Sequence, residues 1–224
     1  MCRLSEKYAP KALGEVVGQP ETVNALKRFV QRPEASGWMF VGGPGCGKSS
    51  IVRALQNELG IDQWSTYRYA GPDLDLAATK DLFAKLRFRP MSGRFNLVII
   101  EEFERCASDQ VRTMLKDRLG EGQWPSSLIV LITSNDISKL EPALLERFQV
   151  CHLRSDMDFG VLVLPRLQQI YAKECEDREV KALAKGLCNG ARLYSGGVVR
   201  DLLDGSRYSM RAALSAIERL FAYC

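Results

Sequence analysis

The sequence predicts an α/β chain, a parallel sheet with helices on both faces, followed by a smaller all-helical unit. Two observations carry the first part. Short β-type runs alternate with helical patterns as far as residue 153, the order that strand–helix–strand crossovers require. Four of the five strand candidates are apolar nearly throughout, as strands buried on both faces must be. The third observation is the switch beyond residue 153, where helical spacing continues and the strand signal ends. The elements follow in order. A helix over Asn24–Val30 begins near Pro20, a residue suited to the first helical turn. Strands are expected at Trp38–Val41, Ser65–Ala70, Leu97–Ile100, Leu128–Thr133 and Gln149–Leu153, with helices at Ser49–Leu59, Leu74–Leu86, Ser108–Leu119 and Glu141–Glu146 between them. Helices at Asp156–Cys175, Glu179–Cys188, Val198–Leu203 and Ser206–Phe221 come next, punctuated by Gly186, Gly190, Gly196, Gly197 and Gly205. The expected domains are therefore 1–153 and 154–224, joined near Arg154-Ser155-Asp156.

Composition narrows the class. The 224 residues suffice for a proper core, and 46% hydrophobic with 26% charged residues describe an ordinary soluble globular protein. The net charge of +4 is spread evenly, with no basic tail, so nucleic-acid contact needs a local patch. Seven scattered cysteines form no C-x-x-C pair, which reads as reduced thiols. The N-terminus has no apolar signal core, and no stretch reaches the ~18 apolar residues of a membrane span. The expectation is an intracellular protein, cytoplasmic or nuclear, with no membrane partner.

The stretch Gly42-Gly43-Pro44-Gly45-Cys46-Gly47-Lys48-Ser49-Ser50 lies between a strand and a helix start. The pattern G-x-x-x-x-G-K-S is that of a phosphate-binding loop, whose glycines let successive N–H groups curl around an anion. The helix N-terminus adds its dipole. Lys48 then supplies charge to the β and γ phosphates, and the Ser49 hydroxyl can take one Mg²⁺ position. A chance glycine turn with a solvated lysine is the competing reading, and the strand-to-helix context disfavours it. Cys46 is a small filler, because the sole histidine is His152 and no nucleophile–base pair is evident.

Four further segments carry chemistry. Asn96–Ile100 ends in Glu101-Glu102, which resembles a Walker B motif. The first acid would hold the Mg²⁺ shell through water and the second polarise the attacking water. Strand alternation points the two carboxylates to different sides. Leu128–Ser134 ends in Asn135, placed to sense the γ phosphate or the water, although Asn after a strand also serves as a turn or cap residue. Arg147 follows a short helix and could reach a neighbouring subunit's γ phosphate, or simply suit a helix C-terminus. Arg200 stands near a helix start, where an anion partner explains a cation better than the dipole does.

The order of these motifs resembles the AAA+ ATPases. The opening Glu6–Gln19 resembles the first box of clamp-loader small subunits of the replication factor C type. That resemblance implies a P-loop AAA+ sheet of order 5-1-4-3-2 and a helical lid domain. It implies an adenine pocket lined by Tyr8, Val16 and Val17, with ATP and Mg²⁺ as substrate and cofactor. It implies Arg200 as a sensor in cis and Arg147 acting in trans at an interface with other AAA+ subunits. A sliding clamp is the implied partner, with DNA contacted through Arg112 and Lys116, which lie i, i+4 on one helix. A denser cluster, Lys85, Arg87, Arg89 and Arg94, is interrupted by Phe88, Pro90 and Phe95. The sequence departs from the family at Ala9, where an Arg is usual, and at Glu101, where an Asp is usual, which bears on turnover. Arg147 lacks its customary Ser and Cys neighbours, and no collar domain is expected after the lid. Two other functions fit the same motifs: a nucleotide-gated binding module with little turnover, and a small AAA+ loader or chaperone for a helicase or transposition complex.

Overall fold

The structure, a computed structural model, describes residues 3–91, 93–120, 124–138, 140–177 and 196–222. Its first elements are α1 (Leu4–Lys7), α2 (Pro20–Gln31), β1 (Ser36–Val41), α3 (Lys48–Leu59), β2 (Thr66–Ala70) and α4 (Leu76–Lys85). These are followed by β3 (Asn96–Glu101), α5 (Asp109–Arg118), β4 (Leu128–Ser134), α6 (Pro142–Leu145) and β5 (Gln149–His152). The helical unit contributes α7 (Met157–Asp177), α8 (Gly196–Gly205) and α9 (Met210–Ala222).

The five strands form one parallel sheet of order β2-β3-β4-β1-β5, which is the expected 5-1-4-3-2 read from the other edge. The continuous apolar runs are explained by two cores, one on each face. Met39, Val98, Ile100, Val130 and Ile132 pack with α4 and α5 through Leu82, Val111 and Leu115. Their sequence neighbours Trp38, Phe40, Leu97, Ile99, Ile129 and Leu131 pack with α2 and α3 through Leu26, Phe29, Ile51 and Leu55. Alternate residues thus serve opposite faces, and each buried Leu, Ile or Val contributes about 1.5–3 kcal/mol. β4 is buried over all seven of its residues, whereas the edge strand β5 is buried at none. Asp75 caps α4 by accepting from the Ala78 N–H, and Ser108 caps α5 by accepting from the Val111 N–H.

A third core joins the helical unit and includes Phe159, Val163, Leu167, Val199, Leu203, Ala213 and Ile217. Leu4 belongs to it, with Tyr8 and Val17 packed against it. The N-terminal segment therefore crosses to the helical side, a packing that pattern reading along the chain does not reveal. The Leu4 N–H donates to the Glu218 carboxylate of α9. Lys7 Nζ and the Tyr8 hydroxyl donate to the buried Glu174 carboxylate of α7, at 2.6 and 2.9 Å.

One helix expectation needs correction. The segment from Ser206 does not run unbroken to Phe221: residues 206–209 form a turn, with Arg207 and Tyr208 at φ of 49° and 59°. α8 ends there because the Tyr208 and Arg207 N–H groups turn back to the Leu203 and Asp204 carbonyls. Ser209 then caps α9, its hydroxyl accepting from the Ala212 N–H at 3.3 Å. The expected helix Glu179–Cys188 lies outside the described residues.

Candidate phosphate-binding site

Three parallel strands end side by side, which brings the candidate residues together. Ser134 of β4 is opposite Val41 of β1, and the Gly42 N–H donates to the Ser134 carbonyl at 3.2 Å. Ile100 of β3 is opposite Ile132, so Glu101 and Glu102 emerge on the same edge. The loop from Gly42 to Ser50 turns directly into α3, capped by Gly47. Gly45 and Gly47 have φ of 80° and 104°, values that only glycine adopts without strain. At Gly42 an added Cβ would lie 2.9 Å from both the Cys46 Sγ and the Leu153 carbonyl oxygen. Cys46 is thus buried filler behind the loop, and burial raises its thiol pKa. The helix N-terminus and the positive-φ glycines of the loop fit a polyphosphate.

Lys48 is held at the mouth of this loop. Its Nζ donates to the Gly42 carbonyl at 2.6 Å, the Gly43 carbonyl at 2.8 Å and Asn135 Oδ1 at 2.7 Å. Burial lowers its pKa; the Cys46 thiol and the Glu104 and Glu102 carboxylates oppose that shift, and Arg211 adds to it. Asn135, the expected sensor, therefore does face the phosphate loop. Its Nδ2 donates to Glu104 Oε1 at 2.5 Å. Glu104 is a member of the site that motif reading missed, although the spacing Glu101-Glu102-x-Glu104 is visible in the sequence.

Glu101 and Glu102 take different partners, and strand alternation does not set this. Glu101 is the last residue of β3 and pairs with Arg68 of β2 at 2.8 Å. Glu102 is already past the strand, in a left-handed conformation at φ 54°, and pairs with Arg105 at 2.7 Å. Its backbone is fixed on two sides. The Glu102 N–H donates to Thr133 Oγ1 at 3.2 Å, and its carbonyl packs so closely on Gly71 that a Cβ there would sit 2.2 Å away. A non-glycine residue at positive φ costs on the order of 1 kcal/mol and is concentrated at functional sites. Ser49 and Ser50 lie in the first turn of α3. Among the described residues no three His, Cys, Asp or Glu converge to hold a metal alone.

The residues expected to line an adenine pocket divide between two cores: Val16 packs on the core of the α2–α3 face, Val17 and Tyr8 on the helical core. Burial, with the Glu174 hydrogen bond second, raises the Tyr8 phenol pKa. Between them Gly18, at φ 83°, lies where a Cβ would strike the Phe159 ring at 2.4 Å. Next to it the buried Gln19 amide ties three segments together. Its Nε2 donates to the Cys46 carbonyl at 3.2 Å and the Arg154 carbonyl at 2.8 Å, while its Oε1 accepts from the Arg154 N–H at 3.0 Å. Gln19 was not singled out by its motif, and only the fold shows its reach.

The arginines fall differently from expectation. Arg200 is the fifth residue of α8, beyond its first turn, and is exposed. The arginine of the helical unit whose charge is felt at Lys48 and Cys46 is Arg211, two residues after Ser209. Ser209 itself sits against the loop, its hydroxyl 2.0 Å from where a Gly45 Cβ would stand. Arg147 lies two residues before β5, whose Gln149 is opposite Trp38. That register sets the start of β5 three residues, or about 10 Å, before the Val41 end of β1, and Arg147 precedes it in the turn after α6. Its Nε is buried with no hydrogen-bond partner among the described residues. On α5, Arg112 is bound to Asp109 at 3.1 Å and to the Cys106 carbonyl at 2.5 Å, and Lys116 to Glu141 at 2.9 Å. Arg87, Phe88, Arg89 and Met91 are exposed on the segment after α4. A cavity of about 550 Å³ on the outer side of α2, lined by Glu21, Asn24, Lys27, Arg28 and Gln31, contains none of these residues. No helix among the described residues is long and apolar enough to cross a membrane.

Residues 38–154 match the family described as the ATPase family associated with various cellular activities (AAA). The chain is 42% identical over 208 residues to a replication factor C small subunit of Archaeoglobus fulgidus, covering 89% of this chain and 61% of that protein. To the replication factor C small subunit of Picrophilus torridus it is 29% identical over 223 residues, covering 96% of this chain and 63% of the relative. It is 28% identical over 158 residues to replication factor C subunit 3 of Saccharomyces cerevisiae, covering 63% and 42%. The chain thus spans less than two thirds of the length of these relatives. Among solved structures, the Thermotoga maritima RuvB Holliday junction branch migration motor superposes with a TM-score of 0.60 at 19% identity, over 95% of this chain and 72% of that one, a likeness of fold.

Proposed function

The chain belongs to the AAA family of ATPases and is clamp-loader-like in sequence, and from that premise we propose that it binds ATP in the Gly42–Ser50 loop and hydrolyses it. The observation that carries this reading is the cage around Lys48. Two loop carbonyls and Asn135 hold the ammonium at the mouth of a glycine cradle, where a triphosphate would exchange for them. Ser49 and Glu101 would hold Mg²⁺, which when bound neutralises charge developing on the phosphates. Glu102 orients and polarises the attacking water, its fixed backbone supporting that task. The switch from Asp to Glu at position 101, already paired with Arg68, favours slow turnover.

In this reading residues 1–153 and 154–224 are the nucleotide-binding and lid units, with the N-terminal turn packed on the lid. Adenine lies between Tyr8, Val16 and Val17. Arg211 of the lid is better placed than Arg200 to meet the phosphates. Arg147 cannot serve its own loop from the far end of β5, so it acts on the ATP of a neighbouring AAA+ subunit. The work done is loading or remodelling a sliding clamp on DNA, by analogy with the replication factor C relatives. Arg112 and Lys116 are engaged within the chain, so the exposed Arg87 and Arg89 are the stronger DNA-contact candidates. The test is fluorescent-ATP binding with Mg²⁺, steady-state hydrolysis with and without primed DNA, and mass in solution with and without ATP. Binding, hydrolysis and an ATP-dependent assembly are expected. Loss of none of these in Lys48→Ala would refute the reading, and a monomer under both conditions would leave Arg147 without a target.

A further inference from the structure

We propose that Glu104 is a positioning residue that decides which end of the Asn135 amide faces the phosphate loop, so that Asn135 receives a hydrogen bond from the attacking water through its oxygen. The inference rests on the ATPase reading above and assigns a task within it.

An asparagine amide can present either a donor or an acceptor, and its partners decide which. Here both partners have one polarity. The Lys48 ammonium can only donate, and it lies 2.7 Å from Oδ1. The Glu104 carboxylate can only accept, and it lies 2.5 Å from Nδ2. The reversed amide would set donor against donor and acceptor against acceptor, so the orientation is fixed by chemistry. Glu104 is itself well held. It lies on the turn Phe103–Arg105, pinned by the fully buried Phe103 ring, and its second oxygen is 3.1 Å from the Ser134 hydroxyl. That hydroxyl is also 2.7 Å from the Asp136 carbonyl and shares its single hydrogen between the two.

When a triphosphate takes Lys48 away from Asn135, Oδ1 loses its donor but Nδ2 keeps Glu104. The oxygen then points into the site as an unsatisfied acceptor. Phosphate oxygens cannot satisfy it, whereas the O–H of a water can. Asn135 and Glu102 would therefore hold the same water from two directions, with Glu104 acting only through Asn135.

The experiment compares Glu104→Ala, Glu104→Gln, Asn135→Ala and the double variant Glu104→Ala/Asn135→Ala. Turnover and fluorescent-ATP affinity are measured for each, beside the side-chain amide resonances of Asn135. Glu104→Ala should slow turnover about tenfold or more while the affinity stays within about twofold, the split expected when only the water is misplaced. Glu104→Gln should retain most of the turnover, because its carbonyl still accepts from Nδ2. The double variant should be no slower than Asn135→Ala. The Asn135 amide protons, identified by their loss in Asn135→Ala, should shift strongly in Glu104→Ala. A Gln variant as slow as Ala, multiplicative losses in the double variant, or unmoved amide resonances would each overturn the proposal. Absence of hydrolysis in the unmodified chain would defeat the ATPase reading, while the resonances would still decide the role of Glu104.

Discussion

Replacing Gly71 by alanine should disable hydrolysis without touching any charged group. Gly71 opens the turn after β2, and its added Cβ would stand 2.2 Å from the Glu102 carbonyl oxygen, 2.9 Å from the carbonyl carbon and 3.2 Å from the Phe103 Cα. All three neighbours are backbone, so no rotamer change relieves the clash. Restoring even a 3.0 Å separation forces the Gly71 and Glu102 backbones about 0.8 Å further apart. Displacements near 1 Å in a reacting group cost about 10²-fold in rate, and overpacking costs about 1–3 kcal/mol of stability. The assay is kcat at saturating ATP beside fluorescent-ATP affinity and a urea midpoint. We expect kcat to fall ten- to hundredfold, affinity to stay within a few-fold because Gly42–Ser50 is untouched, and the midpoint to drop. A kcat within twofold of the unmodified chain would refute the argument that Gly71 fixes Glu102.

Three further outcomes follow from the site. Arg211→Ala should weaken ATP affinity about tenfold, whereas Arg200→Ala should change it little; equal effects in a titration would contradict the placement of Arg211 near Lys48. Arg147→Ala should bind ATP normally yet hydrolyse it slowly, and activity should recover in mixtures with Lys48→Ala subunits, because each lacks what the other supplies; mixtures no faster than their parts would argue against action in trans. Gln19→Ala strands the Cys46 and Arg154 carbonyls and should cost about 1–3 kcal/mol in urea denaturation, since buried groups left unpaired lose their full solvation; an unchanged midpoint would remove it as the tie between loop and helical unit.

Much of the fold was legible because its strands are nearly continuous runs of Val, Ile, Leu and Phe between clear turns. Burial on both faces forces that composition, and the sheet order matches the one implied by family resemblance. The phosphate loop was legible for a related reason: glycines at positive φ and a lysine at a helix start are requirements of local backbone geometry. Contacts across long separations were not legible. Leu4 joins a core built from residues after 157, and Gln19 reaches Arg154, because those pairings depend on how two units close on one another. Arg200 suits the phosphates only if it starts a helix, as the sequence pattern predicts. In the structure α8 begins four residues earlier, and the break at Arg207 and Tyr208 starts a new helix that brings Ser209 against the loop and Arg211 within electrostatic reach of it. The break needs two residues at positive φ, which no composition signal announces. Glu104 falls outside the two-acid pattern, and its reach to Asn135 is set by the turn Phe103–Arg105 rather than by strand spacing.

In the proposed mechanism hydrolysis depends most directly on Glu102. Titration of fluorescent ATP against Glu102→Gln, with steady-state hydrolysis measured on the same preparation, isolates its role because the amide preserves shape and removes the charge. Affinity within about twofold of the unmodified chain and turnover reduced about a hundredfold or more are the predicted pair. Unchanged turnover would contradict the account.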